Sequence, residues 1–270
     1  MTEQRSGRAS SGRLRRPGLF LVLVLVLSVP FYFLNLLDIP MPQGLPPSAL
    51  MIAVPTIVAL FLTYRERGVA GLNELFVPFG TAPNRWLLFS ILAVPTLVGA
   101  MYAITVLLGW EELGPSALSL SSIPAVAVLY FFGAIPEELG WTMYATKPLL
   151  DRYDRLRAGV LIGTVWGLWH VVPFMSQGRD WVWIVGQVGV SITLRIIMVT
   201  VFEHTQGALL PALILHASIN LYPDMLPGGL NSYYPGILAL LYVAAVMAMP
   251  RTISRPSAAP PGRSSRPRCQ

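Results

Sequence analysis

The feature that most constrains this chain is a recurring apolar run. Stretches of roughly 17 to 22 residues, almost free of charge, follow one another, and each is long enough to cross a hydrocarbon core as a helix. The 270 residues are 54% hydrophobic and only 12% charged, with mean hydropathy +0.60. A soluble domain carries roughly 25% charged residues. The fold class expected is therefore all-α, a polytopic membrane protein with about eight transmembrane helices around an intramembrane polar cavity. The runs lie at 18–38, 48–64, 86–109, 121–143, 158–175, 181–203, 207–222 and 234–250. The first, "LFLVLVLVLSV" after Arg15-Arg16, has the outline of a signal peptide. It lacks a small-residue cleavage site and continues into "PFYFLNLL", so it reads as a retained helix.

Charge in the loops alternates. Arg65, Arg67 and Arg85 fall in the second loop, and Lys147, Arg152, Arg155 and Arg157 in the fourth. The first and third carry Asp38, Glu111 and Glu112 without Lys or Arg. Basic loops stay in the cytoplasm, so both termini are expected there, in a multi-pass cell-membrane protein. The exception is Arg179 in the fifth loop, expected to pair with the adjacent Asp180. The net charge of +6 reflects Arg5, Arg8, Arg13, Arg15 and Arg16 before the first run, and Arg251, Arg255, Arg263, Arg266 and Arg268 after the last. Orientation rather than nucleic-acid binding is the expected role of these clusters, with the lipid bilayer as the first partner. The expected organisation is a disordered basic tail at 1–17, a membrane domain at 18–250 with its motifs at about 120–222, and a second disordered basic tail at 251–270. The lone Cys269 allows no intrachain disulfide, and as the second-last residue it forms no prenylation box.

Against this background a few polar residues stand out. "AIPEELGW" places Glu137 and Glu138 near the end of the fourth run, His170 lies in "WGLWHVVPF", Arg195 in mid-sixth run, and His216 and Asn220 in "LPALILHASIN". An ionisable group at mid-membrane costs on the order of 2.5–3.5 kcal/mol, and such groups default to function and to partners. His216 and Asn220, four residues apart, share a helical face. Glu137 and Glu138 are rotated by about 100° from one another and so cannot both point at one spot. One can line a cavity while the other meets a different partner. Pro136 frees a carbonyl and opens space beside them. His204, at a span end, reads as interfacial. A carboxylate, two imidazoles and an amide suit hydrolysis by activated water, with the amide and one imidazole stabilising an oxyanion. The same Glu137, His170 and His216 could instead ligate zinc. Packing hydrogen bonds are the bland alternative for each residue alone.

At these residues the chain resembles the CPBP family of intramembrane proteases, which includes the CAAX prenyl endopeptidases of the Rce type and bacteriocin-processing or immunity (Abi) relatives. That family shows a double glutamate followed by an arginine, then an aromatic with histidine four residues later, then HxxxN. Here "EELGW", "WGLWH" and "HASIN" occur in that order on three runs. The resemblance implies Glu137 as the base that activates water, His170 as its partner, and His216 with Asn220 as the oxyanion-stabilising pair. Glu138 then supports, and whether a metal such as zinc takes part stays open. The implied activity is endopeptidase cleavage of a membrane-associated or lipid-anchored polypeptide, in a cavity expected to open toward the cytoplasm.

One position departs from the family. Its arginine, five residues after the first glutamate, is Thr142 here. Arg195 is expected to substitute by pairing with Glu137 or Glu138, with Lys147 as the other candidate. Without such a partner the chain would read as a catalytically impaired pseudoprotease acting as scaffold or immunity factor. A proton- or solute-coupled transporter is a third reading.

Overall fold

A computed structural model describes residues 15–37, 39–41, 45–76, 82–227 and 231–249. The arginine clusters before Arg15 and after Met249, together with Asp38 and Cys269, lie outside the described residues. So does the expected disorder of both tails, except that Arg15 and Arg16 are described and hydrogen-bonded.

The described residues form helices and no strand: α1 (Pro17–Tyr32), α2 (Val54–Phe76), α3 (Asn84–Leu107), α4 (Ile123–Glu138), α5 (Lys147–Leu150), α6 (Arg155–Trp169), α7 (Val171–Ser176), α8 (Trp181–His204), α9 (Leu210–Asp224) and α10 (Tyr234–Ala248). A wide π-helical segment, Leu139–Thr146, joins α4 to α5. Proline opens α1, and Asp154 and Asp180 cap α6 and α8 by accepting from Arg157 N and Trp183 N. Among the described residues six helical stretches are long and apolar enough to cross a membrane, from Pro17–Leu36 to Trp181–His204. The seventh and eighth runs do form helices, but α9 and α10 have 15 residues each. At 1.5 Å per residue each is about 22 Å long, short of a hydrocarbon core of about 30 Å. Large apolar side chains such as Val22, Leu88, Leu168 and Leu240 point outward, as lipid-facing residues do.

Two faces result from this up-and-down path. One gathers Arg15, Arg16, Glu66, Met143 and Tyr144, joined by hydrogen bonds, with Trp86 against His204 beside them. The other gathers Asn35 with Ser48 and Ser176, Asp180 with Ser232, and Glu111 with Asn231. The first carries the basic loops and is termed the basic face; the second is the acidic face.

Close helix contacts position the site. Gly159, Gly163 and Gly167 lie four residues apart on α6, along one stripe. A Cβ added to Gly159 or Gly163 would meet an α8 backbone atom at 2.6 Å. Small residues at this spacing let backbones approach in lipid, and this approach brings Arg195 of α8 into the centre. Gly140 does the same for the π-helical segment against Pro55 of α2, at 2.6 Å.

Candidate active site

The adjacent glutamates divide their work at the α4 terminus. Glu138 is fully buried and takes donors on both oxygens. Arg195 clamps it with Nη1 2.7 Å from Oε2 and Nη2 3.0 Å from Oε1. Thr142 donates to Oε2, and His216 Nδ1 lies 2.8 Å from Oε1. A bidentate guanidinium–carboxylate pair of this kind is strong and directional. Arg195 thus occupies in space the role of the arginine absent from position 142, and Thr142 completes the cluster by also lying 3.3 Å from Arg195 Nη1. Lys147 does not: it pairs with Asp151 in solvent.

Glu137, one residue earlier, has a different environment. Its Oε2 accepts from Trp166 Nε1 at 2.8 Å, and its Oε1 stands 3.9 Å from His216 Nε2. That distance is beyond a direct hydrogen bond and within reach of a single bridging water. The expectation that the two carboxylates cannot share one spot is corrected in one respect. They face the two nitrogens of the same imidazole, because the ring presents Nδ1 and Nε2 in divergent directions.

His170 ends α6, where the chain turns into α7. Its Nδ1 lies 2.9 Å from the Trp166 carbonyl. A carbonyl only accepts, so Nδ1 carries the proton and Nε2 presents a lone pair. Asn220 is exposed, one helical turn beyond His216. Glu137, His170, His216 and Asn220 all line one cavity of about 330 Å³. His204 is elsewhere, its ring tilted against Trp86 at 4.7 Å, with Nδ1 2.8 Å from the Thr200 carbonyl.

Trp166 is the site residue to which sequence reasoning assigns no role. Its indole holds Glu137, its ring covers the Arg195 guanidinium at 4.4 Å, and its edge meets His216 at 5.0 Å. A signal is present nonetheless: Trp166 stands four residues before His170, on the same helical face.

The cavity opens on the acidic face. Its lining includes Leu45, Pro46, Gln177, Arg179, Asp224 and Leu226, and no residue of the basic loops at 65–85 or 147–157. On the other side it is closed by Phe20, Trp141, Tyr144 and Trp169, which touch edge-on or tilted at 5.2–5.8 Å. The cavity thus opens away from the basic loops, and these buried rings fill the end toward them. Against expectation, Arg179 does not pair with Asp180. Asp180 accepts from Trp183 N and Ser232, while Arg179 lies over the Trp183 ring.

The zinc alternative can be tested on the donors. Among the described residues no three His, Cys, Asp or Glu side chains are arranged to hold a metal ion. His216 Nδ1 faces Glu138 and His170 Nδ1 a carbonyl, which leaves the Nε2 atoms of both rings toward the cavity.

Residues 119–222 match the family profile described as Type II CAAX prenyl endopeptidase Rce1-like. That segment contains Glu137, Glu138, Thr142, Trp166, His170, Arg195, His216 and Asn220. CAAX prenyl protease 2 of Methanococcus maripaludis is 30% identical over 121 residues, which cover 42% of this chain and 44% of that relative. The chain thus spans less than half the length of the curated relative it matches.

Proposed function

We propose, from the premise that its Rce1-like segment makes this chain a member of the CPBP family of intramembrane proteases, that it is an endopeptidase using Glu137 to activate water. The observation that carries this reading is the unequal treatment of the two acids. Glu138 has four donors on two oxygens and is spent on structure. Glu137 keeps one oxygen facing the cavity across 3.9 Å from an imidazole nitrogen.

A water seated between Glu137 and the His170 Nε2 lone pair gives one proton to Glu137 as its oxygen attacks the scissile carbonyl carbon. The carbonyl oxygen gains the negative charge. His216 in its protonated form donates through both ring nitrogens, Nδ1 to Glu138 and Nε2 toward that oxyanion, with the Asn220 amide as a second donor. Collapse of the intermediate breaks the C–N bond, and Glu137 passes its proton to the leaving amine. Arg195 and Thr142 act at one remove: they hold Glu138, which holds His216.

The substrate supported by this cavity is a membrane-associated polypeptide, lipid-modified in the manner of the family's name or anchored otherwise. If the basic loops face the cytoplasm, the cleaved segment is presented from the opposite side. Membrane proteomes of cells carrying wild type and Glu137→Gln test the reading. The variant is expected to accumulate an uncleaved membrane polypeptide, with turnover down about 10²–10⁴-fold once that polypeptide is assayed pure. Identical proteomes, with a phenotype retained by Glu137→Gln, would instead indicate a non-catalytic scaffold.

A further inference from the structure

We propose that Arg179 is a specificity-determining residue that receives a carboxylate of the substrate at the far end of the cavity from Glu137. The backbone fixes its place. Gly178, with φ 73°, adopts the left-handed conformation that ends α7, and Arg179 N donates to the Phe174 carbonyl at 3.1 Å. The next residue, Asp180, caps α8. Arg179 is thus pinned between two helix caps, with its guanidinium 5.1 Å above the Trp183 ring.

Its chemistry is unspent. The guanidinium is charged at any working pH and carries five donors in a planar fork. Its Nε is buried without a hydrogen-bond partner, and none of the ion pairs among the described residues includes it. Asp224 is near enough to sense the charge, but it accepts its hydrogen bond from Tyr130. A ligand carboxylate accepting from Nε and one Nη would satisfy both the orphaned donor and the charge.

The wall between Arg179 and the reacting centre suits an apolar peptide. His170 stacks on Phe174 at 5.5 Å, Phe174 meets Trp183 edge-on at 4.8 Å, and Trp183 lies under Arg179. An extended chain of a few residues, at ~3.3–3.6 Å each, can run along that wall. The bound carboxylate is therefore either the C-terminus of a short leaving segment or an acidic side chain a few residues beyond the scissile bond. Only the identification of the ligand as a polypeptide rests on the endopeptidase reading.

The test is binding to Glu137→Gln protein in detergent, so that no cleavage intervenes. The probes are an apolar tetrapeptide of Val and Phe as free acid, the same peptide as amide, and the amide with Glu in last place. The free acid is expected to bind about 10-fold or more tightly than the plain amide. That preference should vanish in Arg179→Gln and be partly kept in Arg179→Lys. Rescue by the Glu-bearing amide assigns the site to an acidic side chain, and no rescue assigns it to the C-terminus. Equal binding of free acid and amide to otherwise native Arg179, or a preference unchanged in Arg179→Gln, overturns the proposal. So does a preference that anionic-lipid micelles abolish, since the guanidinium would then belong to a headgroup. In the cleavage-competent protein Arg179→Gln should raise KM and leave kcat. Cleavage indifferent to the carboxylate would overturn this inference and leave the endopeptidase reading standing. An intact preference with no cleavage of any substrate would do the reverse.

Discussion

The two faces of the molecule solve opposite problems. At the basic face several polar groups are tied down, although Glu66 Oε2 and Arg155 Nη1 are buried without a hydrogen-bond partner. Arg15 donates to the Met143 carbonyl at 2.7 Å, Tyr144 donates to Glu66 at 2.9 Å, and behind them a layer of aromatic rings excludes water. At the acidic face the polar groups are left partly unspent around a cavity: one oxygen of Glu137, Nε2 of His170, the Asn220 amide, Nε of Arg179. Between the two lies the Arg195–Glu138–His216 cluster. Hydrolysis needs water at one carboxylate and exclusion of water from the charge that orients its imidazole. The difference shows how two neighbouring residues can meet both needs, since the helix turn from 137 to 138 crosses from the open side to the sealed one.

The dividing cluster is where this contrast breaks most easily. Arg195→Leu leaves the Glu138 carboxylate buried without its counter-ion, and should cost about 3–5 kcal/mol of stability. The double change Arg195→Leu with Glu138→Leu should recover much of that loss, whereas Arg195→Leu with Glu137→Leu should not. Thermal unfolding in detergent reads both, and strictly additive effects for both acids would deny the pairing. Gly163→Leu pushes α6 off α8, where an added Cβ would meet the Ile192 backbone at 2.6 Å. Overpacking of this kind should cost about 1–3 kcal/mol and weaken the cluster with it.

Smaller changes sharpen the comparison. Trp166→Phe keeps the ring against Arg195 and His216 and removes only the N–H on Glu137. An orphaned buried acceptor costs about 1–3 kcal/mol, but here the cavity supplies water to Glu137, so the variant should sit at the low end while turnover falls. A full loss at the upper end would mean that Glu137 is as dry as Glu138. Arg15→Ala should cost least, about 0.5–1.5 kcal/mol for the lost hydrogen bond. It should leave peptide binding from the acidic face unchanged, as measured by titration of the same tetrapeptides.

How much of this was legible in the sequence follows from which forces are local. Long apolar runs report burial in lipid directly, so the all-helical class and the six long stretches are readable. The short α9 and α10 are not distinguished from full spans, because hydropathy does not show where a helix is capped. Glu137, His170, His216 and Asn220 are readable as a group because each is costly in hydrocarbon. Arg195 is readable for the same reason, and the vacancy at Thr142 points to it. Which of the two acids Arg195 meets is not readable, since a π-helical segment after Glu138 alters the local rotation and carries no plain sequence mark. Trp166 is readable as the aromatic of "WGLWH", but its role is not, because an indole costs little in an apolar helix and nothing in the sequence marks its N–H as engaged. The side on which the cavity opens depends on Phe20, Trp141, Tyr144 and Trp169 meeting from α1, the π-helical segment and α6. Such contacts between distant segments leave no periodic trace.

The division into a sealed and an open face is tested most directly by the side from which the site is reached. Cys269 is the only cysteine in the sequence, so a Cys269→Ser background is clean. Into it go single changes at the cavity rim, Gln177→Cys, within the cavity, Asn220→Cys, and in a basic loop, Arg152→Cys. Intact cells are treated with a membrane-impermeant maleimide. Gln177→Cys and Asn220→Cys should be labelled from outside, and Arg152→Cys only after permeabilisation. Labelling of Asn220→Cys only from the side that labels Arg152→Cys would contradict that division, whereas Arg152→Cys labelled alone in intact cells would keep it and invert the orientation.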